Sequence, residues 1–296
     1  VKVIAPLRDK IWTREEEIHV SADVAYGIVR YVEATGDTAF LHDVGAEILF
    51  ETSRFWTDRL EPRPDGKYVL TRVVGPDEFH EHVDNNAYTN YLVRWHLRQA
   101  AHVYAELSVT HPDELADLAH RIGLTSEEVQ GWLDQAERIQ LPGHTEDGVI
   151  EQFDGYFGLE TLPVTLDEND MPQYPPGYDH HNVAGSKLLK QPDVVMLTYV
   201  LPDEFPDAVK LANYEHYEPL TLHKSSLSPA IHAIMGIEVG DPSRAMQYFR
   251  RSALVDLIDN QGNTQEGIHI ASAGGTWQMV VCGFGGFRVH AGRMTF

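Results

Sequence analysis

Between Glu17 and Ile139, and again from Leu189 to Val255, apolar residues return at every third or fourth position in one segment after another, and turn-forming residues separate the segments. That period is the α-helix's, and it commits most of the chain to helices that each bury one face. In Glu17–Asp37 the recurring residues are Val20, Val24, Ala25, Ile28, Tyr31 and Val32, and Gly36-Asp37 ends the run. Phe40–Leu60 repeats the pattern through Val44, Ile48, Leu49, Thr52 and Trp56. Further helices are predicted over about residues 88–107, 112–122, 126–139, 189–200, 207–214, 229–237 and 242–255, with a last one from about Thr276. Helix, loop and helix in steady succession predict an all-α architecture of stacked helical hairpins, such as a toroid. Two regions break the rhythm. Glu146–His181, rich in Pro, Gly, Asp and aromatics, reads as a long irregular loop, a length that more often serves function. Phe287–Phe296 reads as strand, Ala-Gly turn, strand, a hairpin too small to stand alone, and is predicted to start a second, β module.

Composition sharpens this at a few points. A net charge of -22 argues against nucleic acid as a partner, because phosphate backbones are bound by Lys/Arg-rich surfaces. No apolar run approaches the roughly 20 residues of a membrane span, and the N-terminus does not read as a signal peptide. The single cysteine, Cys282, excludes an internal disulfide and fits a reducing compartment, so a cytoplasmic location is expected. The 16 histidines, paired at His80/His82 and His180/His181, require metal to be weighed.

Four stretches carry candidate chemistry. In "VVGPDEFHEHVDNNAYTN", Val73–Asn90, the residues Asp77, Glu78, His80, Glu81, His82 and Asp84 crowd together behind Gly75-Pro76. Crowded, partly buried carboxyl groups suit a general acid, which must carry a proton near neutral pH; a solvated acidic loop is the plainer alternative. A metal site is not expected, since the stretch lacks the His-Glu-x-x-His spacing and no cysteine assists. In "EPLTLHKSSLSPAIHAIMG", Ser228-Pro229 read as the cap and first residue of a helix. His223, Lys224, Ser225 and Ser226 just upstream supply donors for a bound oxyanion. In "EGIHIASAGGTWQ", His269 and Gly274-Gly275 read either as a second wall of that anion site or as a tight turn into a packed helix. In "KLLKQPDVVML", Lys190-Gln191 suit polyol hydroxyls, although such pairs are common on surfaces.

Taken together, "GPDEFHEHVDNNAYTN", "KQPDV", "HKSSLSPAIHAI" and "GIHIASAGGTWQ" resemble, in order and separation, the disaccharide phosphorylases of glycoside hydrolase family 65, over about Glu16–Arg288. The resemblance implies an (α/α)6 barrel, of which residues 1–286 would be the later part, with 287–296 opening the C-terminal β module. It implies Glu78 as general acid, Lys190 and Gln191 as ligands of the donor glucose, and Ser225, Ser226 and His269 as the phosphate cradle, aided by backbone near Gly274 and Gly275. It also implies Asp77, His80, Glu81 and Asp84 as the shell around the acid. The implied substrates are an α-linked glucose disaccharide and inorganic phosphate, with no cofactor, and the family's members are often homodimers. The implied reaction is inverting phosphorolysis to β-glucose 1-phosphate and a free sugar. An inverting hydrolase needs two carboxyl groups, acid and base, roughly 6.5–9.5 Å apart. A phosphorylase needs only the acid, because its nucleophile is already an anion. The family's large N-terminal β-sandwich and a Phe-Trp-Asp motif of its early barrel helices are not found here, and "VKVIAPLRDKIWTR" does not match the family. The alternatives are therefore a hydrolase on the same fold and an inactive helical fragment.

Overall fold

The computed structural model describes residues 12–167, 171–290 and 293–296. Its helices are α1 Thr13–Glu16, α2 Val20–Thr35, α3 Thr38–Phe40, α4 Ala46–Arg59, α5 Ala87–Thr110, α6 Pro112–Ile122, α7 Ser126–Arg138, α8 Val194–Val200, α9 Asp207–Tyr217, α10 Ser228–Glu238, α11 Pro242–Ala253 and α12 Ile270–Gln278. Local chemistry sets many of their ends. Gly36 and Gly123 close α2 and α6 in the left-handed conformation that glycine adopts without strain. Asn86, Thr125 and Asp241 accept the orphan N–H groups of Thr89, Glu128 and Arg244 at the starts of α5, α7 and α11. Three two-stranded antiparallel sheets pair β1 Glu61–Pro62 with β2 Tyr68–Val69, β3 Thr165–Leu166 with β4 Pro172–Gln173, and β5 Arg288–His290 with β6 Arg293–Thr295. The expected C-terminal hairpin is thus present, while its Ala291-Gly292 turn lies outside the described residues.

Two helix starts differ from the sequence reading by more than a turn. α8 begins at Val194 rather than near Leu189, which leaves Lys190 and Gln191 in a bend ahead of it. The last helix begins at Ile270, not Thr276, and runs on into a π-helical turn over Met279–Phe284.

Contacts between helix starts fix how the elements are arranged. The Tyr88 hydroxyl at the start of α5 donates to Asp23 in the first turn of α2, at 2.7 Å. Asn86, the cap of α5, donates to Asp193, the residue before α8, at 2.7 Å. Backbone bonds from Leu189 N to Leu220 O (2.9 Å) and from Leu222 N to Leu189 O (2.7 Å) lay the approach to α8 beside the approach to α10. Gly275 of α12 faces Ala230 of α10, and Gly283 beyond it faces Ile234, so these two helices also run the same way. α2, α5, α8, α10 and α12 therefore start at one end of the molecule. α4, α7, α9 and α11 pack as return helices against them, giving the inner and outer layers of an α/α barrel. At the opposite end, Tyr26, Arg30, Trp95, Glu238 and Arg288 help line a cavity of about 650 Å³. Its charges are satisfied locally, by Arg30–Glu33 and Lys210–Glu238 pairs at 2.6 Å.

The buried stripe of α2 is not the one with the largest residues. Ala22, Ala25 and Ile28 are buried, while Val20, Val24 and Tyr31 are 51%, 49% and 45% exposed. On α4 the buried set is Ala46, Leu49, Phe50, Ser53 and Trp56, while Val44, in the π-helical turn ahead of α4, is turned outward. Trp56 donates its indole N–H to Nδ1 of His96 at 3.2 Å, so the His96 hydrogen sits on Nε2, facing Leu49 O and the Thr52 hydroxyl. Burial holds this neutral ring's pKa down at about 4.

Candidate active site

The acid loop is pinched at its base by Val73 and Val83, whose backbones exchange hydrogen bonds of 2.9 and 3.0 Å. Asp77 is its anchor. The side chain is buried and accepts from the Lys190 amide (2.8 Å), Gln152 Nε2 (3.1 Å) and His80 Nδ1 (2.6 Å). Glu78, the next residue, is about a third exposed. Lys190 Nζ lies 2.7 Å and Gln191 Nε2 3.1 Å from the same oxygen, Glu78 Oε1. Gln191 also donates to the Pro76 carbonyl. Lys190 and Gln191, more than 110 positions from Glu78 in the chain, thus meet at one of its carboxylate oxygens.

The expected shell around Glu78 divides in two. Asp77 and His80 lie within it, but Glu81 and Asp84 are exposed, and Asp84 accepts instead from the Arg72 amide at 2.9 Å. His82 turns away to Glu16 at 2.7 Å, so His80 and His82 do not converge.

The parallel run of 188–190 beside 220–222 carries the chain from Lys190-Gln191 towards Lys224, Ser225 and Ser226. Lys224 is half-buried, which lowers its pKa, and its ammonium lies 5.5 Å from the centre of the Tyr174 ring. Tyr174 packs on Phe79 at 5.8 Å. The long loop thus links the acid loop to the Lys-Ser-Ser loop, which no local pattern announces. Ser225 accepts from Leu227 N at 3.2 Å. Ser228 is not the cap expected: it is the first helical residue, and its hydroxyl binds His223 Nδ1 at 2.7 Å. His269 precedes α12, and because α12 runs with α10 it lies at the same end as Ser225 and Ser226. Asp256 holds its Nδ1 (2.6 Å) and its backbone N–H (2.9 Å), which leaves Nε2 for a ligand.

Gly274 and Gly275 require a correction. They are the fifth and sixth residues of α12, where backbone N–H groups belong to the helix's own ladder and are not free to hold an anion. Gly275 serves packing, since a Cβ there would lie 2.8 Å from the Ala230 Cβ. Gly275→Ala is expected to lower stability by about 1–3 kcal/mol through overpacking. Gly274→Ala, with nothing within 4 Å, should instead raise it by up to about 1 kcal/mol. Urea midpoints of the two variants check this.

The family model for the glycosyl hydrolase family 65 central catalytic domain matches residues 5–278. The chain belongs to glycosyl hydrolase family 65. It is 48% identical over 282 residues to a kojibiose phosphorylase of Caldanaerobacter subterraneus subsp. tengcongensis, covering 95% of this chain and 37% of that protein. It is 40% identical to an α,α-trehalose phosphorylase of Thermoanaerobacter brockii, covering 95% and 36%. A solved human-microbiome protein, provisionally called a kojibiose phosphorylase, superposes with a TM-score of 0.82 at 31% identity over 93% of this chain and 40% of its own. The chain thus spans a little over a third of the length of the curated relatives it matches. No helix among the described residues is long and apolar enough to cross a membrane.

Within this family-65 domain, sequence reasoning passed over Asp193 and Gln152. Asp193 stands two residues after Gln191 in a stretch already singled out, and a carboxyl group at a helix start was its available signal. It is fully buried, and burial, followed by the charge of Asp77, pushes its pKa up to about 7. One group of potential metal ligands exists among the described residues: Glu218, His223 and His232, with ligand atoms within 4.8 Å of one another. Glu218 is engaged by Arg244 and the Tyr248 hydroxyl, and His223 by Ser228 and Tyr248. The charges of Arg244 and Arg251 act on His232 after burial, whose joint effect brings its pKa to about 3. The same two cations would oppose a metal ion. Within the group, His223 directly precedes Lys224 and bonds Ser228 just beyond the Lys-Ser-Ser loop.

Proposed function

We propose that this domain catalyses the inverting phosphorolysis of an α-linked glucose disaccharide, with inorganic phosphate as co-substrate and no further cofactor. The observation that carries the reading is the convergence of Lys190 and Gln191 on one oxygen of Glu78, with the Ser225 and Ser226 hydroxyls and the His269 ring, rather than a second carboxyl group, as the groups offered to a nucleophile. Lys190 and Gln191 would take hydroxyls of the donor glucose. Phosphate, held by Ser225, Ser226 and His269, attacks C1 from the face opposite the leaving group. As the C1–O bond breaks, Glu78 gives its proton to the departing oxygen, and the products are β-glucose 1-phosphate and a free sugar. Glu78 is then a carboxylate, a fitting partner for the Lys190 ammonium beside it, and must regain a proton before the next turnover. Kojibiose and trehalose are the first disaccharides to try, being named for the relatives of 48% and 40% identity.

Product analysis on a panel of glucose disaccharides, with and without phosphate, tests this. Phosphate-dependent glucose 1-phosphate is the expected result. Release of two glucose molecules without phosphate would replace the reading with hydrolysis. Ser226→Ala should raise KM for phosphate about tenfold, the value of one hydrogen bond to a charged group, with KM for the disaccharide unchanged.

A further inference from the structure

Two buried histidines, His96 and His80, meet different sets of hydrogen-bond partners. His96 receives a hydrogen bond on Nδ1 from an indole N–H and is therefore neutral. His80 meets acceptors on both sides. Its Nε2 lies 2.9 Å from the Ser186 carbonyl oxygen, which cannot donate, so Nε2 carries a hydrogen. Its Nδ1 lies 2.6 Å from Asp77 Oδ2. Asp77 already receives N–H donors on both oxygens, from Lys190 N on Oδ1 and from Gln152 on Oδ2, as a carboxylate does. Nδ1 therefore carries a hydrogen too.

We infer that His80 is a positioning residue, held as an imidazolium between Asp77 and Ser186, and that this buried ion pair sets Lys190 and Gln191 against Glu78. The geometry is a two-point grip. His80 holds Ser186 and Asp77 holds the Lys190 amide, so the pair fastens both ends of one five-residue segment to the turn that presents Glu78. Burial opposes the charge on His80; the charge and hydrogen bond of Asp77, the Ser186 carbonyl and the charge of Asp193 overcome it and raise the ring's pKa. Among the described residues Tyr156 also faces the ring, edge-on at 6.0 Å. This inference rests on the reading of Glu78 as acid and of Lys190 and Gln191 as sugar ligands.

Nitrogen-15 spectroscopy of the histidine rings at pH 8, with His80 assigned from the His80→Gln variant, tests the charge. His80 is expected to show two ring-bound hydrogens and imidazolium nitrogen shifts, with His96 as the one-hydrogen reference. A one-hydrogen pattern for His80 overturns the inference. Positioning is read by calorimetry on His80→Asn. Glucose binding should weaken about tenfold, as for loss of a charge-assisted bond, while phosphate binding, built on other segments, stays within about twofold. Unchanged glucose affinity, or equal loss of both ligands, also overturns it. If the unaltered chain binds neither ligand, the sugar-and-phosphate reading of the site fails, and the ring spectrum still decides the charge.

Discussion

Glu78→Gln is expected to lower phosphorolysis about a thousandfold, within the 10²–10⁴ that a positioned general acid supplies, and to leave the fold intact. The side chain is about a third exposed, and its contacts are with Lys190 and Gln191 at the rim of the site rather than with the core. Glutamine keeps the length and still offers Lys190 an oxygen, so glucose binding should change little. What it lacks is a proton to give the leaving oxygen. Release of glucose 1-phosphate, a glucose titration and a thermal melt, run on the same preparation, separate the outcomes. Loss of turnover with binding and melting preserved supports the acid role. Preserved turnover would remove Glu78 from the mechanism, and a collapsed melt would make it a structural residue.

The second large effect is expected at Gly75. Its φ is ordinary, so what the position demands is space. A Cβ would come 2.6 Å from Asp193 Oδ2 and closer still to Asn86 Nδ2, the two atoms that hydrogen-bond the start of α5 to the start of α8. Neither side chain has room to retreat, because both are buried, and Asn86 also caps α5 through Thr89. Gly75→Ala should therefore cost about 3 kcal/mol, combining overpacking with a strained buried hydrogen bond. Urea unfolding measures it, with Gly27→Ala as the control. Gly27 lies within α2, and a Cβ there would meet nothing within 4 Å, so alanine should be neutral or stabilising by up to about 1 kcal/mol. Equal midpoints for the two variants would mean that the contact between the helix starts is soft.

The helices were legible in the sequence because their period is local. Gly36 ends α2 where the sequence put the stop. The face each helix buries was less legible, as α2 shows by burying Ala22 and Ala25 while exposing Val20 and Val24. Burial there answers to neighbours that are far away in the chain. The same split runs through the site. Glu78, Lys190 and Gln191 stood out as motifs and do meet, whereas Gln152 reaches Asp77 across 75 positions and Tyr174 reaches Phe79 across 95, with no local mark on either. Gly274-Gly275 misled for the opposite reason: glycine signals close approach without saying whether a ligand or another helix is the visitor.

The shared direction of the inner helices has an electrostatic consequence. A helix start carries roughly half a positive charge, and its influence fades within about one turn. Five such starts open on the site face of a chain whose net charge is -22, and that larger charge acts over a Debye length of about 8 Å at physiological ionic strength. An approaching anion is thus repelled from a distance and attracted only at close range. Salt is therefore expected to ease the approach of an anion to this face by screening the outer field, while the short-range field of the helix starts is barely changed.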